Sequence, residues 1–449
     1  MNAGAAPATV TEDVPCTRHC RQVGRRGGRS IRKPGDRPRR HHTVLRREGP
    51  GAGLLRGPLS ERGIRLLLLP PAYAADTDEI TVEAATGPRP GATAASLTVL
   101  PLGTELPPGE DLASVVDTAT GTTVRRLGGL GEFAAVSLRG STFRQVEVFL
   151  DGVPLNPDGV VAVDLSELPA SSFSRAELYR GFAPVAFGSA AIGGVLNLVT
   201  ADTPPPTISL RGGSFGTVGV TALAAPSTPA VETLFAVDQL HTEGNYRYFD
   251  DQGTEFNRLD DRTPTRTNNA IDRASLLGRA RFGPDPARVT VLDHLVVGQQ
   301  GLPGPISLDA ARADLGTVRN LAVLSADLTP GGLRFLPAAW WLWREEELDD
   351  RDGEIGTGIQ HTRDRSGTVG GQLTSLWSPE PWLVSTLTLR ARHERYVPVD
   401  LMEDTTGPVQ ARTAGLAALG TDLRFWRDRL TLSPAVSGLV LADEGQPRA

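Results

Sequence analysis

From Thr207 onward, apolar and polar residues alternate in short runs. Ile208 and Leu210 stand between Thr207, Ser209 and Arg211, and Val218, Val220 and Ala222 between Thr217, Gly219 and Thr221. Leu387, Leu389 and Ala391 stand between Thr386, Thr388, Arg390 and Arg392. A period of two, not 3.6, predicts strands with one apolar and one polar face. Short turn-forming segments interrupt them at Pro226 to Pro229, Gly283 to Pro286, Thr329 to Gly332, Ser378 to Pro381 and Arg427 to Arg429. Longer polar stretches fall near 244–269, 299–316, 345–366 and 397–412. Tight turns on one rim, long loops on the other and alternating segments of about 10 residues are the pattern of a transmembrane β-barrel wall. Counted this way the chain holds about 11 such strands. Trp377 and Trp382 flank one tight turn, and Trp340, Trp341 and Trp343 cluster before a long stretch, as aromatic girdles at the two lipid boundaries would.

Residues 110–200 carry a different pattern, in three stretches. The first is Val136-Ser137-Leu138-Arg139-Gly140-Ser141. The second, Val146 to Asn156, is an alternating strand ending in Asp151-Gly152, a dipeptide suited to a turn with φ > 0. The third runs from Leu168-Pro169 through Arg175-Ala176-Glu177-Leu178-Tyr179-Arg180-Gly181 to Phe187-Gly188 and Gly193-Gly194-Val195-Leu196-Asn197-Leu198-Val199-Thr200. In order and spacing these stretches resemble the plug domain of TonB-dependent outer-membrane receptors. The resemblance implies a mainly β protein: a small α+β plug followed by antiparallel transmembrane barrel strands, about half of a 22-stranded barrel. It implies energised uptake of a scarce ligand such as a ferric siderophore or cobalamin, with the TonB complex of the inner membrane, outer-membrane lipid and a small iron-chelate or corrinoid as partners. It implies neither enzyme activity, nor a cofactor, nor nucleic-acid binding, and a place in the cell outer membrane.

The expected domains are an Arg-rich leader over 1–60, the end of a signal peptide over 61–74, a TonB box and linker over 75–98, the plug over 99–204 and partial barrel over 205–449. Arg18 to Arg47 has almost no apolar residue and is expected to be disordered. Arg62 and Arg65, then Leu66 to Leu69 and Ala72-Tyr73-Ala74, give charge, apolar run and A-x-A exit, so cleavage is expected after Ala74. Asp78, Glu79, Ile80, Thr81 and Val82 form the expected TonB-binding box, an extended segment able to add as a strand to a partner's sheet edge. In the plug, Arg139, Arg175, Glu177 and Arg180 are expected against the barrel wall or in plug ion pairs. Gly140, Gly152, Gly181, Gly188, Gly193 and Gly194, with Asp151 and Asn197, complete the motif, and the glycines are expected to serve backbone geometry. Leu130, Glu132, Phe133, Asn156 and Asp158, in two apical loops, are the expected ligand contacts.

Charge narrows the alternatives. Residues 1–74 hold 15 Lys+Arg against 5 Asp+Glu, so a basic-patch reading applies to the leader alone. Lys33 is the sole lysine, which excludes any Walker phosphate loop beyond it. Cys16 and Cys20 both lie in the leader, without a second ligand pair for zinc. Gly212-Gly213-Ser214-Phe215-Gly216 matches a nucleophile elbow, but the alternating strand after it predicts a hairpin tip. Asp250, Asp251, Asp260 and Asp261 form a candidate calcium-binding loop against the reading of an acidic solvent loop. The strand count and the closing Gln446-Pro447-Arg448-Ala449 lead to the expectation of a truncated or split receptor whose remaining strands are encoded downstream or nearby. A non-functional receptor remnant and a soluble secreted β-rich binding protein are the competing readings.

Overall fold

The computed structural model describes residues 96–103, 111–156, 162–181, 183–188, 193–254, 256–284, 286–305, 310–356, 358–426 and 429–444. All of them fall within one compact unit, Ile64–Ala449. The leader, the signal-peptide end, the TonB box and Asp158 lie outside the described residues.

The first half is a small mixed domain. Strands β1 (Ser96–Pro101), β4 (Val146–Leu150), β5 (Val153–Pro154), β6 (Phe173–Arg180) and β7 (Gly194–Thr200) form one sheet in the order β1-β6-β7-β4-β5, with only β4 and β7 parallel. A short helix α1 (Leu112–Asp117) and the hairpin of β2 (Thr122–Arg126) and β3 (Ala134–Leu138) pack beside it. Asp111 caps α1, accepting from the Ser114 amide at 2.8 Å and from Arg126 Nη2 at 2.6 Å. Burial alone would push the Asp111 carboxyl up, but these donors hold it below the usual carboxylate range. The Asp151-Gly152 turn joins β4 to β5 with φ of 48° and 83°, the conformation the dipeptide predicts. Leu112, Leu138, Leu150, Phe173, Leu178, Leu196 and Leu198 are fully buried and make the core.

The second half is one meandering antiparallel sheet. Its strands are β8 (Thr207–Gly212), β9 (Val218–Ala224), β10 (Val231–Thr242), β11 (Ile271–Phe282), β12 (Ala287–Gly301), β13 (Asp314–Leu328), β14 (Leu333–Asp350), β15 (Gln360–Glu380), β16 (Leu383–Asp400), β17 (Thr405–Thr406), β18 (Gln410–Phe425), β19 (Leu430–Leu432) and β20 (Ala435–Glu444). From β8 to β16 each strand pairs with its sequence neighbour, β16 pairs with β18, and β18 with both β19 and β20. No helix among the described residues is long and apolar enough to cross a membrane.

Alternation gives the sheet two faces. Leu234, Ala236, Leu277, Leu292, Leu321, Val323 and Leu342 point inward and join the core of the first domain. Ile208, Leu210, Phe235, Leu276, Val291, Leu324, Val369 and Leu387 point outward and are exposed. An exposed outward apolar belt of this extent is what lipid selects, and it disfavours the soluble alternative. The tryptophans divide accordingly. Trp341 is outward and exposed, whereas Trp340, expected in the girdle, is inward and buried in the shared core. Consecutive strand residues cannot share a face.

One long loop proves shorter than the polarity of its residues implied. β14 continues to Asp350 and β15 starts at Gln360, so much of the stretch read as a loop over 345–366 is strand. The reason is electrostatic: Glu345 with Arg365 at 2.8 Å and Glu347 with Arg363 at 2.6 Å sit opposite each other across the ladder, on strands that outrun the belt.

Gly194 marks how tightly the first domain is built: at φ 133°, a Cβ there would lie 2.4 Å from the Tyr179 carbonyl oxygen and 2.7 Å from Leu138 Cδ1. Gly194→Ala should therefore destabilise this domain by about 1–3 kcal/mol. Gly140→Ala, also at positive φ but with open space around it, should lose less. Limited proteolysis of the folded chain with increasing denaturant would rank the two.

Candidate functional site: the seam between plug and wall

The inner domain sits against the inward face of the sheet, and its carboxylates meet pairs of wall arginines. Asp164 caps the turn Leu165–Glu167, accepting from the amides of Ser166 and Ala134, each at 2.9 Å. That turn projects Glu167 onto the wall, where Oε2 is 3.3 Å from Arg319 Nε and Oε1 is 3.0 Å from Arg344 Nη2. Arg273 Nη1 donates to Ser166 Oγ at 2.7 Å. Burial alone would push the Glu167 carboxyl up, but Arg319, Arg344 and Arg273 together hold it below its ordinary range. Burial and the neighbouring Glu167 push the Asp164 carboxyl up. Between these groups lies a cavity of about 20 Å³, room for about one water molecule.

Two further contacts repeat the arrangement. Asp151 accepts from Thr200 N at 3.0 Å and Thr200 Oγ1 at 2.7 Å, and the same threonine hydroxyl accepts from Arg279. Beside it Arg281 pairs with Asp202 and with Glu232, each at 3.1 Å. Glu147 faces Arg390 and Arg392, although burial outweighs their pull and pushes its carboxyl up. Arg390 Nη2 donates to the Phe187 carbonyl at 3.1 Å and its guanidinium lies 5.4 Å from the Phe149 ring centre. At Gly188, φ 82°, a Cβ would come within 3.1 Å of Leu416 Cδ1, so a side chain there would crowd the wall.

Of the two places expected for the plug charges, wall or plug ion pairs, the structure has them within the plug. Arg175 pairs with Glu177 at 2.7 Å, and Glu177 also accepts from Tyr179 and Asn197, each at 3.1 Å. Asn197 Oδ1 accepts from Gly152 N at 3.1 Å. Arg180 donates to Thr120 O and Thr98 Oγ1, and the Arg139 guanidinium lies over Gly181. These side chains therefore tie the inner domain to itself. Its polar contacts with the wall fall instead to Ser166, Glu167, Thr200, Asp202 and the Phe187 and Asn156 carbonyls, met by Arg273, Arg279, Arg281, Arg319, Arg344, Arg390 and Arg392, none of which the sequence reading singled out as a wall contact. The inward phase of the strands, on which all seven arginines lie, was the signal that would have found them.

The apical loops divide. The loop holding Leu130, Glu132 and Phe133 is held close to the wall: a Cβ on its Gly131 would lie 2.9 Å from Leu240 and 3.4 Å from Ile271, where β10 and β11 meet the long loops. Asn156 instead copies a strand residue, accepting from Val148 N at 2.6 Å and donating to Val146 O at 3.3 Å. Gly212 to Gly216 is a hairpin tip between β8 and β9, with Phe215 and Gly216 at φ 60° and 67° and no helix following. Phe215, Tyr246 and Tyr248 form an edge-on aromatic chain with centroids 6.1 and 6.2 Å apart, and Arg266 lies 5.6 Å from the Tyr248 centroid.

The calcium loop is corrected by the structure. Asp250 is taken by Arg262 Nε at 2.7 Å and by Gln252 N at 2.9 Å, Asp251 by Gly253 N at 3.0 Å, and Asp260 by Thr254 Oγ1 at 2.7 Å. No group of three or more His, Cys, Asp or Glu among the described residues is placed to hold a metal ion. The acids serve as turn caps and an ion pair because the loop's own donors lie nearer than a common centre.

Comparison with known proteins matches this geometry. Residues 103–195 match the TonB-dependent receptor plug domain. The vitamin B12 transporter BtuB of Photobacterium profundum is 33% identical over 117 residues, 24% of this chain and 19% of the transporter. Among solved structures, the copper transporter OprC superposes with a TM-score of 0.60 at 14% identity, covering 78% of this chain and 55% of OprC. The siderophore receptor PirA from Acinetobacter baumannii gives 0.58 at 14% identity, covering 78% of this chain and 57% of PirA. Residues 103–195 are therefore a TonB-dependent receptor plug domain, and the described residues as a whole share the plug-and-sheet fold of these solved transporters and receptors. The chain spans little more than half the length of these solved structures and a smaller share of the curated transporter.

Glu167→Gln should leave Arg319 and Arg344 facing a neutral amide and destabilise the seated plug by about 3–5 kcal/mol, as removal of one partner of a buried ion pair does. Arg175→Gln, inside the plug network and a third exposed, should cost much less. Protease accessibility of the plug in the folded chain would measure both.

Proposed function

We propose that the chain is the plug and wall portion of a receptor that imports a scarce ligand across the outer membrane using force from the TonB complex. The observation that carries this reading is the charged part of the seam: a compact domain whose Glu167 meets Arg319 and Arg344 on the inward face of a sheet against which it also packs through a shared apolar core. Such a domain fills the lumen yet is joined to the wall by interactions that water can replace when it moves.

The pull is assigned to Asp78 to Val82, an extended segment ahead of β1 that adds as a strand to TonB, behind a signal peptide cleaved after Ala74. Ligand meets the apical end, where Leu130, Glu132 and Phe133 face the same rim as the aromatic chain of Phe215, Tyr246 and Tyr248. The ligand class is a ferric siderophore or a cobalamin, since a relative whose plug resembles this one transports vitamin B12 and a structural neighbour is a siderophore receptor.

The test separates pulling from binding. In the assembled receptor Ile80→Pro should abolish uptake of the cognate ligand and spare its surface binding, because proline removes a backbone donor and fixes φ in a strand that must pair. Ile80→Ala should be milder. Equal loss of binding in both variants would make the segment part of the plug's structure and overturn the assignment.

A further inference from the structure

The outward face of the wall has one charge out of place. Register puts Phe235, Gly278, Asp293, Ala322, Trp341 and Val369 in one outward row across six strands. On β11 that row lies four residues above Phe282 at the tight turn and six below Asp272 at the loop side. Ten residues of a strand tilted by about 40° rise about 25 Å, the height of the apolar belt. Asp293 thus stands near the middle of the belt. Its outward neighbours along β12 are Val291 and Leu295, and the other outward acids of these strands, Asp272, Asp314, Glu345, Glu347 and Asp349, line the loop-side edge.

Asp293 does not stand alone. Asn320 Nδ2 on β13, also outward, donates to both of its carboxylate oxygens at 3.2 Å. Ionisable groups facing hydrocarbon are costly and, where kept, bind something. The immediate surroundings are shallow: Gly278 and Ala322 flank Asp293 in its row, and a Cβ built on Gly278 meets no atom within 4 Å. Phe235 and Trp341 stand at the row's far sides as exposed rings.

We propose that this patch is a lateral contact between two copies of the chain in the membrane. The pair is self-complementary, since a carboxyl accepts or, protonated, donates, and a carboxamide does both. Two copies related by a two-fold axis along the membrane normal bring their Asp293–Asn320 pairs to the same depth. The amide of each then donates toward the carboxyl of the other within a low dielectric. Small residues on either side let the two walls approach, as they do where membrane segments associate. A lipid tail offers no hydrogen-bonding group at this depth, and so leaves the carboxyl as costly as before.

The inference rests on the outer-membrane reading, and the test keeps the two apart. Ala322→Cys is placed in the chain, whose only native cysteines, Cys16 and Cys20, are replaced by serine. Outer-membrane fractions are oxidised and run without reductant, with Val369→Cys, two strands away in the same row, as the distance control. The expected result is a disulfide-linked dimer for Cys at 322, little for Cys at 369, and loss of the 322 dimer on adding Asp293→Leu or Asn320→Leu. Membrane-inserted protein that stays monomeric, or whose dimer survives both leucine substitutions, overturns the contact and leaves the receptor reading intact. A chain absent from the outer-membrane fraction overturns both.

Discussion

The plug stays in register with the wall because guanidinium groups on inward-facing strand positions need counter-charges, and the plug supplies them. Glu167 between Arg319 and Arg344 is the clearest case. Removing such charges from water costs nearly what their attraction returns, so the contacts add little to net stability while strongly penalising any other seating of the plug. Apolar contacts fill the space between the charged ones: Leu234, Leu277, Leu321 and Trp340 of the wall join the plug core, and Val185 packs on Leu416 and Ala418.

The same alternation that aims arginines inward aims Phe235, Val291 and Leu387 outward. One strand therefore serves two solvents, and each residue's role follows from its parity. Trp340 and Trp341 show how sharp the division is, one buried against the plug core and its neighbour exposed in the belt. Beyond the belt the strands continue, and there the outward positions become charged pairs such as Glu345 with Arg365, because water and not lipid is the neighbour.

Much of this was legible in the sequence. The period of two, the tight turns and the plug motif stretches led to the mainly β fold and to the class of receptor, because both rest on local rules: side chains alternate along a strand, and Asp151-Gly152 favours φ > 0. The long strands at 345–366 were misread because charge was taken for solvent exposure of a loop, when opposite charges facing each other across a ladder support a strand equally well.

What the sequence determined by itself was therefore the element type, the two faces and the class, since these depend on residues close together in the chain. The tertiary structure decided which charges meet. Arg175 and Glu177, two positions apart on β6, stay inside the plug, while Glu167 crosses to Arg344 on a strand 177 residues away. The carboxylates of Asp250, Asp251 and Asp260, close in sequence, turn to separate donors. Coulomb attraction falls with distance in space, not along the chain, and only the packing of plug on wall sets that distance.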